Sequence, residues 1–224
     1  MTNDILNIAL DGPSGSGKST VADVLAAKLN ILHLDTGAMY RAVALKAKKL
    51  GVSVNDEKSV ENYLKNFDLK IDVKNGKQVT VLDGIDVSDE IRMPEISMMA
   101  SDVSKLKAVR VKMVDMQREI ANSVSCVLDG RDIGTCVMPN AKYKFFITAS
   151  PEVRAKRRFG ELKVKGYDVD YDALLEEIKQ RDYNDANRAI SPLKQAEDAI
   201  LIDTTNLNKE EVVAALMGYI TEQK

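Results

Sequence analysis

Short apolar runs alternate with segments of helical periodicity along most of the chain. Apolar residues recur at helical spacing in residues 18–29 and 38–50, for example. Strands that alternate with helices form parallel sheets, because each helix returns the chain to the starting edge. The pattern therefore predicts an α/β fold, with a parallel five-stranded sheet and helices on both faces. The five runs with the length and composition of buried strands are residues 5–10, 31–34, 124–128, 143–148 and 199–202.

One region departs from this alternation and has the pattern of an antiparallel hairpin. Residues 69–74 and 79–82 flank an Asn75-Gly76 turn, a dipeptide that favours tight hairpins. We expect a small antiparallel insert at about residues 62–96. Such an insert in a parallel frame suggests a movable lobe that covers a second ligand.

Charged residues and two glycines dominate residues 159–170, where apolar periodicity is weak. This composition is typical of a mobile segment, and we expect a short helical lid at about residues 154–170. No linker rich in proline, glycine or serine divides the chain. Residues 1–224 are therefore predicted to form a single domain that carries the insert and the lid.

A further helix is predicted after Pro94, with one apolar stripe at three- and four-residue spacing. We expect Arg110 to point toward the other side of that helix. The stripe consists of Leu106, Val109, Met113, Met116 and Ile120.

Residues 12–19 read Gly-Pro-Ser-Gly-Ser-Gly-Lys-Ser, between the first predicted strand and the first predicted helix. This is the phosphate-binding loop of P-loop NTPases, in which glycines let backbone N–H groups turn toward a polyphosphate. Lys18 is expected to neutralise the β- and γ-phosphate oxygens. Ser19 is expected to hold Mg²⁺, with Asp129 behind it. The sequence thus predicts a site for a nucleotide triphosphate.

Aspartate-containing loops follow four of the predicted strands. The carboxyl ends of parallel strands lie at one edge of a sheet, so these loops are expected to converge near the phosphate-binding loop. They begin at Asp11, Asp35, Asp129 and Asp203.

Composition and charge narrow the classes of function. The net charge of −2 argues against broad nucleic-acid binding, and the 45% of hydrophobic residues suffices for a substantial core. No apolar stretch approaches membrane-spanning length, and Met1-Thr2-Asn3-Asp4 has no positive region of the kind that begins a signal peptide. We expect a cytoplasmic monomer that binds small molecules, with no nucleic-acid or membrane partner.

The single histidine, His33, lies in an apolar run and is expected to be a packed residue rather than a catalyst. Cys126 and Cys136 have no spacing that suggests a metal site. Histidine-based nucleophilic catalysis is therefore not expected.

Arginines cluster where a second anionic ligand is expected. Guanidinium groups suit phosphate oxygens because they donate parallel hydrogen bonds and stay charged when desolvated. Phosphoryl transfer from a nucleotide triphosphate to a phosphate monoester needs no general base, since the acceptor oxygen is already ionised near pH 7. The arginines concerned are Arg41, Arg110, Arg131, Arg154, Arg157, Arg158, Arg181 and Arg188.

With these motifs the chain resembles the bacterial cytidylate kinases over nearly its whole length. The most discriminating strings are Asp-Thr-Gly-Ala-Met-Tyr-Arg at 35–41 and Asp-Gly-Arg-Asp-Ile-Gly-Thr at 129–135. Arg181 through Pro192 and the phosphate-binding loop also match. The resemblance implies a core, a three-stranded insert after the second core strand that binds the nucleoside monophosphate, and a short lid. It also implies that ATP phosphorylates CMP or dCMP with Mg²⁺.

The resemblance also implies roles for individual residues, with Lys18, Arg131, Arg158 and Arg181 as the catalytic set. Arg154 would stack on adenine, and Arg157 and Arg158 would contact the phosphates. The other residues in contact with ATP would be Gly12, Pro13, Ser14, Gly15, Ser16, Gly17, Lys18, Ser19 and Thr20. The CMP phosphate would meet Tyr40, Arg41 and Arg131, and the ribose Arg181 and Asp185. The base would meet Ser101, Arg110, Asp132 and Arg188, and Thr36 would supply a hydroxyl nearby.

Two other classes of protein remain as alternatives. A kinase for an alcohol such as shikimate would use the same frame, with Asp35 or Asp132 as the base. A GTP-dependent switch would need an Asn-Lys-x-Asp signature, and the nearest string, Asn208-Lys209-Glu210-Glu211, lacks its aspartate.

Overall fold

The computed structural model describes residues 5–74 and 76–222. Residues 1–4 and Asn75 of the expected turn lie outside this range. The strands are β1 Asn7–Asp11, β2 Leu32–Asp35, β3 Leu69–Lys74, β4 Lys77–Leu82, β5 Ile85–Asp86, β6 Cys126–Gly130, β7 Tyr143–Thr148 and β8 Ile200–Asp203. The helices are α1 Lys18–Leu29, α2 Thr36–Lys49, α3 Glu57–Leu64, α4 Pro94–Val103, α5 Lys107–Ser123, α6 Pro151–Val164, α7 Tyr171–Asn187 and α8 Lys209–Glu222.

Five parallel strands form the main sheet in the order β2-β6-β1-β7-β8, which confirms the predicted α/β fold. Side chains alternate between the two faces of β1. Ile8 and Leu10 join one apolar cluster and Ala9 joins the other. Both faces are buried, so the strands read as continuous apolar runs in the sequence.

Helices cover both faces of the sheet. Val21 and Leu25 of α1 pack with Val212 and Leu216 of α8 in one cluster. Helices α2, α4 and α5 contribute to the other cluster, together with the strands β2 and β6. This arrangement places the carboxyl ends of all five strands at one edge, where the phosphate-binding loop follows β1.

The predicted insert is a three-stranded antiparallel sheet in the order β3-β4-β5. It shares the core of the main sheet, because Leu69 and Leu82 belong to the same apolar cluster as α2. Polar contacts add to this packing: the side chain of Gln78 accepts a hydrogen bond from the backbone N–H of Asp35 at 2.7 Å. Ion pairs also join Lys46, Lys48 and Lys49 of α2 to Asp83, Glu95 and Glu90.

Helices α6 and α7 form a hairpin with a small core of its own. Ala155 and Leu162 of α6 pack against Leu174 and Ile178 of α7. After residue 159, Leu162 is the buried residue of α6, whereas Val164 at its end is 90% exposed.

Arg110 lies on the buried side of α5, not on its other side. Its side chain is 3% exposed, and its neighbours on the helix Val109 and Met113 are also buried. The position of Arg110 is within about 60° of Met113 around the helix axis, since successive residues turn by about 100°. The apolar stripe and this guanidinium therefore share one broad face.

Gly12 tests how closely the loop is fitted to the sheet. Its φ is +145°, and a Cβ atom built there would lie 1.9 Å from the backbone oxygen of Ile147. We expect Gly12→Ala to lower the free energy of unfolding by at least about 3 kcal/mol, from the clash together with backbone strain. The matched control is Gly51→Ala, where φ is +65° and no atom lies within 4 Å. A similar loss in both variants, measured by urea unfolding, would contradict the clash.

Candidate active site

The phosphate-binding loop is preformed around Lys18. The Nζ atom of Lys18 donates to the backbone oxygen of Pro13 at 2.7 Å and to the Ser16 hydroxyl at 3.3 Å. Helix α1 begins at Lys18, directly after Gly17 at φ +92°. Burial, and then the charge of Arg131, lowers the pKa of Lys18 to about 7. An anion in the loop would stabilise the charged ammonium and give it a better partner than the loop itself.

Ser19 and Asp129 have the chemistry of a magnesium site completed by a nucleotide. The Ser19 hydroxyl donates to Oδ2 of Asp129 at 2.6 Å, which leaves its lone pairs free for a cation. Mg²⁺ is usually held by few protein oxygens together with substrate phosphates and water. The expected pair of residues therefore fits this ion, and the structure brings both together.

Asp129 also accepts a hydrogen bond from Nε2 of His33 at 2.9 Å, and Nδ1 of His33 lies 2.7 Å from Asp23. Burial acts to lower the pKa of His33, but these two hydrogen bonds outweigh it and raise the pKa to about 10. Burial acts to raise the pKa of Asp129, yet His33 keeps it below its usual value. His33 is thus packed, with its side chain 10% exposed, and it is held between two carboxylates that its sequence neighbours did not indicate.

A cleft of about 1010 Å³ extends from the phosphate-binding loop to α4, α5 and α7. This volume is at the upper end of the range for small-molecule sites, so it can hold a large ligand or two adjacent ones. Expected residues that line it include Thr36, Tyr40, Arg41, Ser101, Arg110, Arg131, Asp132, Arg157, Arg158, Arg181, Asp185 and Arg188.

Several buried polar atoms in this cleft have no partner among the described residues. Buried donors are nearly always satisfied in native proteins, so atoms left over in a cleft mark the position of a ligand. The four in the cleft are the Tyr40 hydroxyl and the Nε atoms of Arg41, Arg110 and Arg181.

Carboxylates hold the arginines that face the phosphate-binding loop. Arg41 donates to Asp35 at 2.6 Å, and Nε of Arg131 donates to Asp185 at 2.9 Å. Burial, and then the charge of Arg131, lowers the pKa of Arg181 to about 10. The crowding of positive charge is therefore only partly offset, and a dianionic phosphate would relieve it.

Asp132 lies between two guanidinium groups deeper in the cleft. Its Oδ2 accepts from Arg110 and its Oδ1 from Arg188 at 3.3 Å. The guanidinium of Arg110 also lies over the Tyr40 ring, 5.7 Å from the centroid. These contacts fix the positions of neighbouring acceptors and donors, and such groups can distinguish one nucleobase from another.

Sequence analysis gave no role to the side chain of Asp11, which joins the two halves of the cleft. Its carboxylate accepts from the backbone N–H groups of Ile133 and Gly134, both at 2.7 Å. Burial dominates over these hydrogen bonds and raises the pKa of Asp11 to about 6. The residue before the phosphate-binding loop thus anchors the loop that carries Arg131 and Asp132. The position of Asp11 at the end of a predicted buried strand was the sequence signal that could have indicated this role.

Arg154 does not reach the cleft, and the expected stacking on adenine does not fit its position. Its guanidinium donates to Asp182 at 3.0 and 2.5 Å, to the backbone oxygen of Ala149 at 2.9 Å and to that of Ser14 at 3.1 Å. Its Cβ lies against Gly15. Four-residue spacing put it on one face with Arg158, but the loop and α7 bury it.

Arg157 and Arg158 do line the cleft. Arg157 donates to both Thr204 oxygens, at 3.2 and 2.8 Å, and Arg158 pairs with Glu161 at 3.2 Å on the more exposed side. Arg92 and Met98 also line the opposite side of the cleft. Sequence analysis missed these two residues, because single exposed residues in and just after the insert carry no motif.

A phosphate-binding loop at the edge of a parallel sheet, facing a second cationic pocket, defines a small-molecule kinase of the P-loop class. A solved structure titled shikimate kinase from Bacteroides thetaiotaomicron shares this fold, with a TM-score of 0.51 at 15% identity over 97% of each chain. The profile of the cytidylate kinase family matches residues 8–222. The chain belongs to that family.

Individual relatives agree with this assignment. The cytidylate kinase of Caldicellulosiruptor bescii is 54% identical over 95% of this chain and 94% of its own length. That of Desulforamulus reducens is 48% identical over 97% of each chain, and that of Bacillus pumilus is 49% identical over 95% of this chain and 94% of its own.

The position of Arg154 predicts a structural role that unfolding experiments can test. Arg154→Leu leaves Asp182 without its partner, and we expect a loss of about 2–4 kcal/mol in the free energy of unfolding. Asp182→Asn should lower the free energy of unfolding by at least about 1 kcal/mol less in the Arg154→Leu variant than in the wild type. The control is Arg158→Ala, whose exposed pair with Glu161 should contribute no more than about 0.5 kcal/mol. Additive losses for Arg154 and Asp182 would contradict the role.

Proposed function

We propose that the protein transfers the γ-phosphoryl group of ATP to CMP and dCMP, forming CDP and dCDP. The observation that carries this proposal is the single cleft that places a preformed phosphate-binding loop opposite buried, partly unsatisfied guanidinium groups. Membership in the cytidylate kinase family supports the choice of acceptor. Lys18, Arg131, Arg158 and Arg181 are the catalytic set.

ATP would occupy the side of the cleft formed by residues 12–20. Backbone N–H groups and Lys18 would bind its β- and γ-phosphates, and Ser19 would hold Mg²⁺ with Asp129 behind it. Mg²⁺ supplies positive charge between the phosphates when it is bound. Arg157 and Arg158 remain in the ATP site, whereas Arg154 supports the loop from below.

CMP would occupy the opposite side, with its phosphate near Tyr40, Arg41 and Arg131. Its phosphate oxygen needs no base, because the second phosphate pKa is about 6. Catalysis then consists of aligning the two phosphates, spreading the transferred charge over cations and excluding water. Arg181 and Asp185 would contact the ribose.

Asp132 and Ser101 would accept from the exocyclic amine of cytosine, and Arg110 and Arg188 would donate to the ring acceptors. Uracil presents a carbonyl in place of the amine and would leave the Asp132 carboxylate facing an acceptor. Thr36 donates to the backbone oxygen of Asp129 at 2.8 Å and would keep this loop in place below the substrate.

The same contacts disfavour an alcohol as the acceptor. A base must be free to take a proton, yet Asp35 is held by Arg41 and also accepts from the backbone of Ala38 at 3.1 Å. Asp132 is held by two arginines. The likeness to shikimate kinase concerns the fold alone.

A guanine-dependent switch is also disfavoured. The side chain of Asn208 accepts from the backbone of Glu211 at 2.9 Å, and the Glu211 carboxylate accepts from the backbone of Asn208 at 2.8 Å. This reciprocal pair caps the start of α8. Asn208 is therefore occupied in capping rather than in base recognition.

The insert at about residues 62–96 and the lid at about residues 154–170 would close over CMP and ATP, within one domain of 224 residues. None of the helices in the described part of the chain combines the length and hydropathy needed to cross a bilayer. The monomeric state and the cytoplasmic location stay predictions.

An acceptor panel tests the reaction. With ATP and Mg²⁺, we expect ADP release with CMP and dCMP at least about 100-fold faster than with shikimate or with no acceptor. Lys18→Ala should lower kcat by about 1000-fold or more, because Lys18 neutralises charge on the transferred group. A folded Lys18→Ala variant with normal turnover, or preferential phosphorylation of shikimate, would overturn the proposal.

Substitution of Asp132 tests base recognition. Asp132→Ala removes the acceptor for the cytosine amine and leaves two guanidinium groups without their carboxylate, so CMP affinity should fall at least about 100-fold. ATP affinity should change less than about threefold. Isothermal titration of each nucleotide measures both, and the exposed Asp198 serves as the control in Asp198→Asn. Equal losses for ATP and CMP would contradict the role.

A further inference from the structure

His33 connects the outer surface of α1 with the phosphate-binding loop through hydrogen bonds. Its Nδ1 faces Asp23 of α1 at 2.7 Å, and its Nε2 faces Asp129 at the end of β6 at 2.9 Å. The side chain is only 10% exposed. Asp129 in turn accepts from the Ser19 hydroxyl at 2.6 Å.

The two oxygens of Asp129 have separate partners. Oδ1 accepts from His33 and Oδ2 accepts from Ser19. The terminal torsion of an aspartate is broad and has no strong intrinsic preference. Without the bond to His33, the carboxylate would be free to rotate, and neither oxygen would be reserved for Ser19.

The orientation of the Ser19 hydroxyl matters for a metal ion. A hydroxyl that donates its proton to Asp129 presents lone pairs on its other side. Those lone pairs are what a cation in the phosphate-binding loop would use. The direction of the Ser19 proton therefore depends on Asp129, and the direction of Asp129 depends on His33.

We propose that His33 is a positioning residue that fixes the Asp129 carboxylate and, through it, the Ser19 hydroxyl for the complex of ATP with Mg²⁺. This inference rests on the proposed function, since it requires a metal-bound nucleotide in the loop. Removal of a residue bonded to a metal ligand typically changes the metal affinity about 10- to 100-fold, and His33 acts through such a residue, Asp129.

Two conservative substitutions separate the two contacts of the imidazole ring. The amide nitrogen of Gln lies near the position of Nε2, so His33→Gln keeps a donor for Asp129. The amide nitrogen of Asn lies near the position of Nδ1, so His33→Asn keeps only the donor for Asp23. If His33 only linked α1 to β2, the Asn variant would behave more like the wild type. In the proposed role, the Gln variant does.

Isothermal titration of ATP with Mg²⁺ and with EDTA measures the gain in affinity that Mg²⁺ provides. We expect His33→Asn to reduce this gain at least about tenfold. His33→Gln should stay within about threefold of the wild type. Affinity for ATP in EDTA and for CMP should change less than about twofold in both variants, and Asp23→Ala should behave like the wild type.

Equal gains in all variants would overturn the proposal, as would losses that follow the melting temperature rather than the presence of Mg²⁺. A wild-type protein with no gain from Mg²⁺ would instead overturn the proposed function.

The wild-type chain allows a second measurement that does not depend on variants folding. His33 is the only histidine, so ¹⁵N-labelled histidine in tag-free protein gives imidazole signals from this residue alone. Addition of Mg²⁺ to the ATP-bound protein should shift the Nε2 signal more than the Nδ1 signal. An unchanged Nε2 signal would overturn the proposal.

Discussion

Burying several guanidinium groups in one cleft requires carboxylates to hold them until an anionic ligand arrives. In this structure, carboxylates pair with four of the arginines that line the cleft. Asp35 holds Arg41, Asp185 holds Arg131, and Asp132 holds both Arg110 and Arg188. Because an unpaired buried charge is strongly unfavourable, these pairs keep the guanidinium groups of the cleft in place.

The same constraint narrows the chemistry of the acceptor. An anionic phosphate offers Arg41 and Arg131 another negatively charged partner, so it can take the place of a carboxylate at little electrostatic cost. A neutral alcohol offers no such exchange and would find both candidate bases, Asp35 and Asp132, already held by cations. The electrostatics of the cleft therefore favour an anionic acceptor.

Most of the fold could be predicted from the sequence because its signals are local. The phosphate-binding loop, the five buried strands and the hairpin of the insert each have a pattern within about ten residues. The arginines indicated a second anionic ligand through their residue type rather than through a local pattern. The third strand of the insert, Ile85–Asp86, is too short to carry a pattern.

The errors concern residues whose surroundings are made by distant parts of the chain. Arg154 has the spacing of a cleft residue, but Ser14 and Asp182, which lie far from it in sequence, bury it. His33 is packed as expected, but its apolar sequence neighbours give no sign of Asp23 and Asp129, which approach it from α1 and β6. Spacing along a helix or strand shows which residues share a face of that element. It does not show which residues from other parts of the chain pack against that face.

The guanidinium of Arg154 bonds to the phosphate-binding loop through Ser14 and to α7 through Asp182. Because these bonds connect three segments, a shift of α6 or α7 would be transmitted to the backbone of the loop. The position of the helical hairpin and the shape of the phosphate-binding loop are thus coupled through one buried side chain.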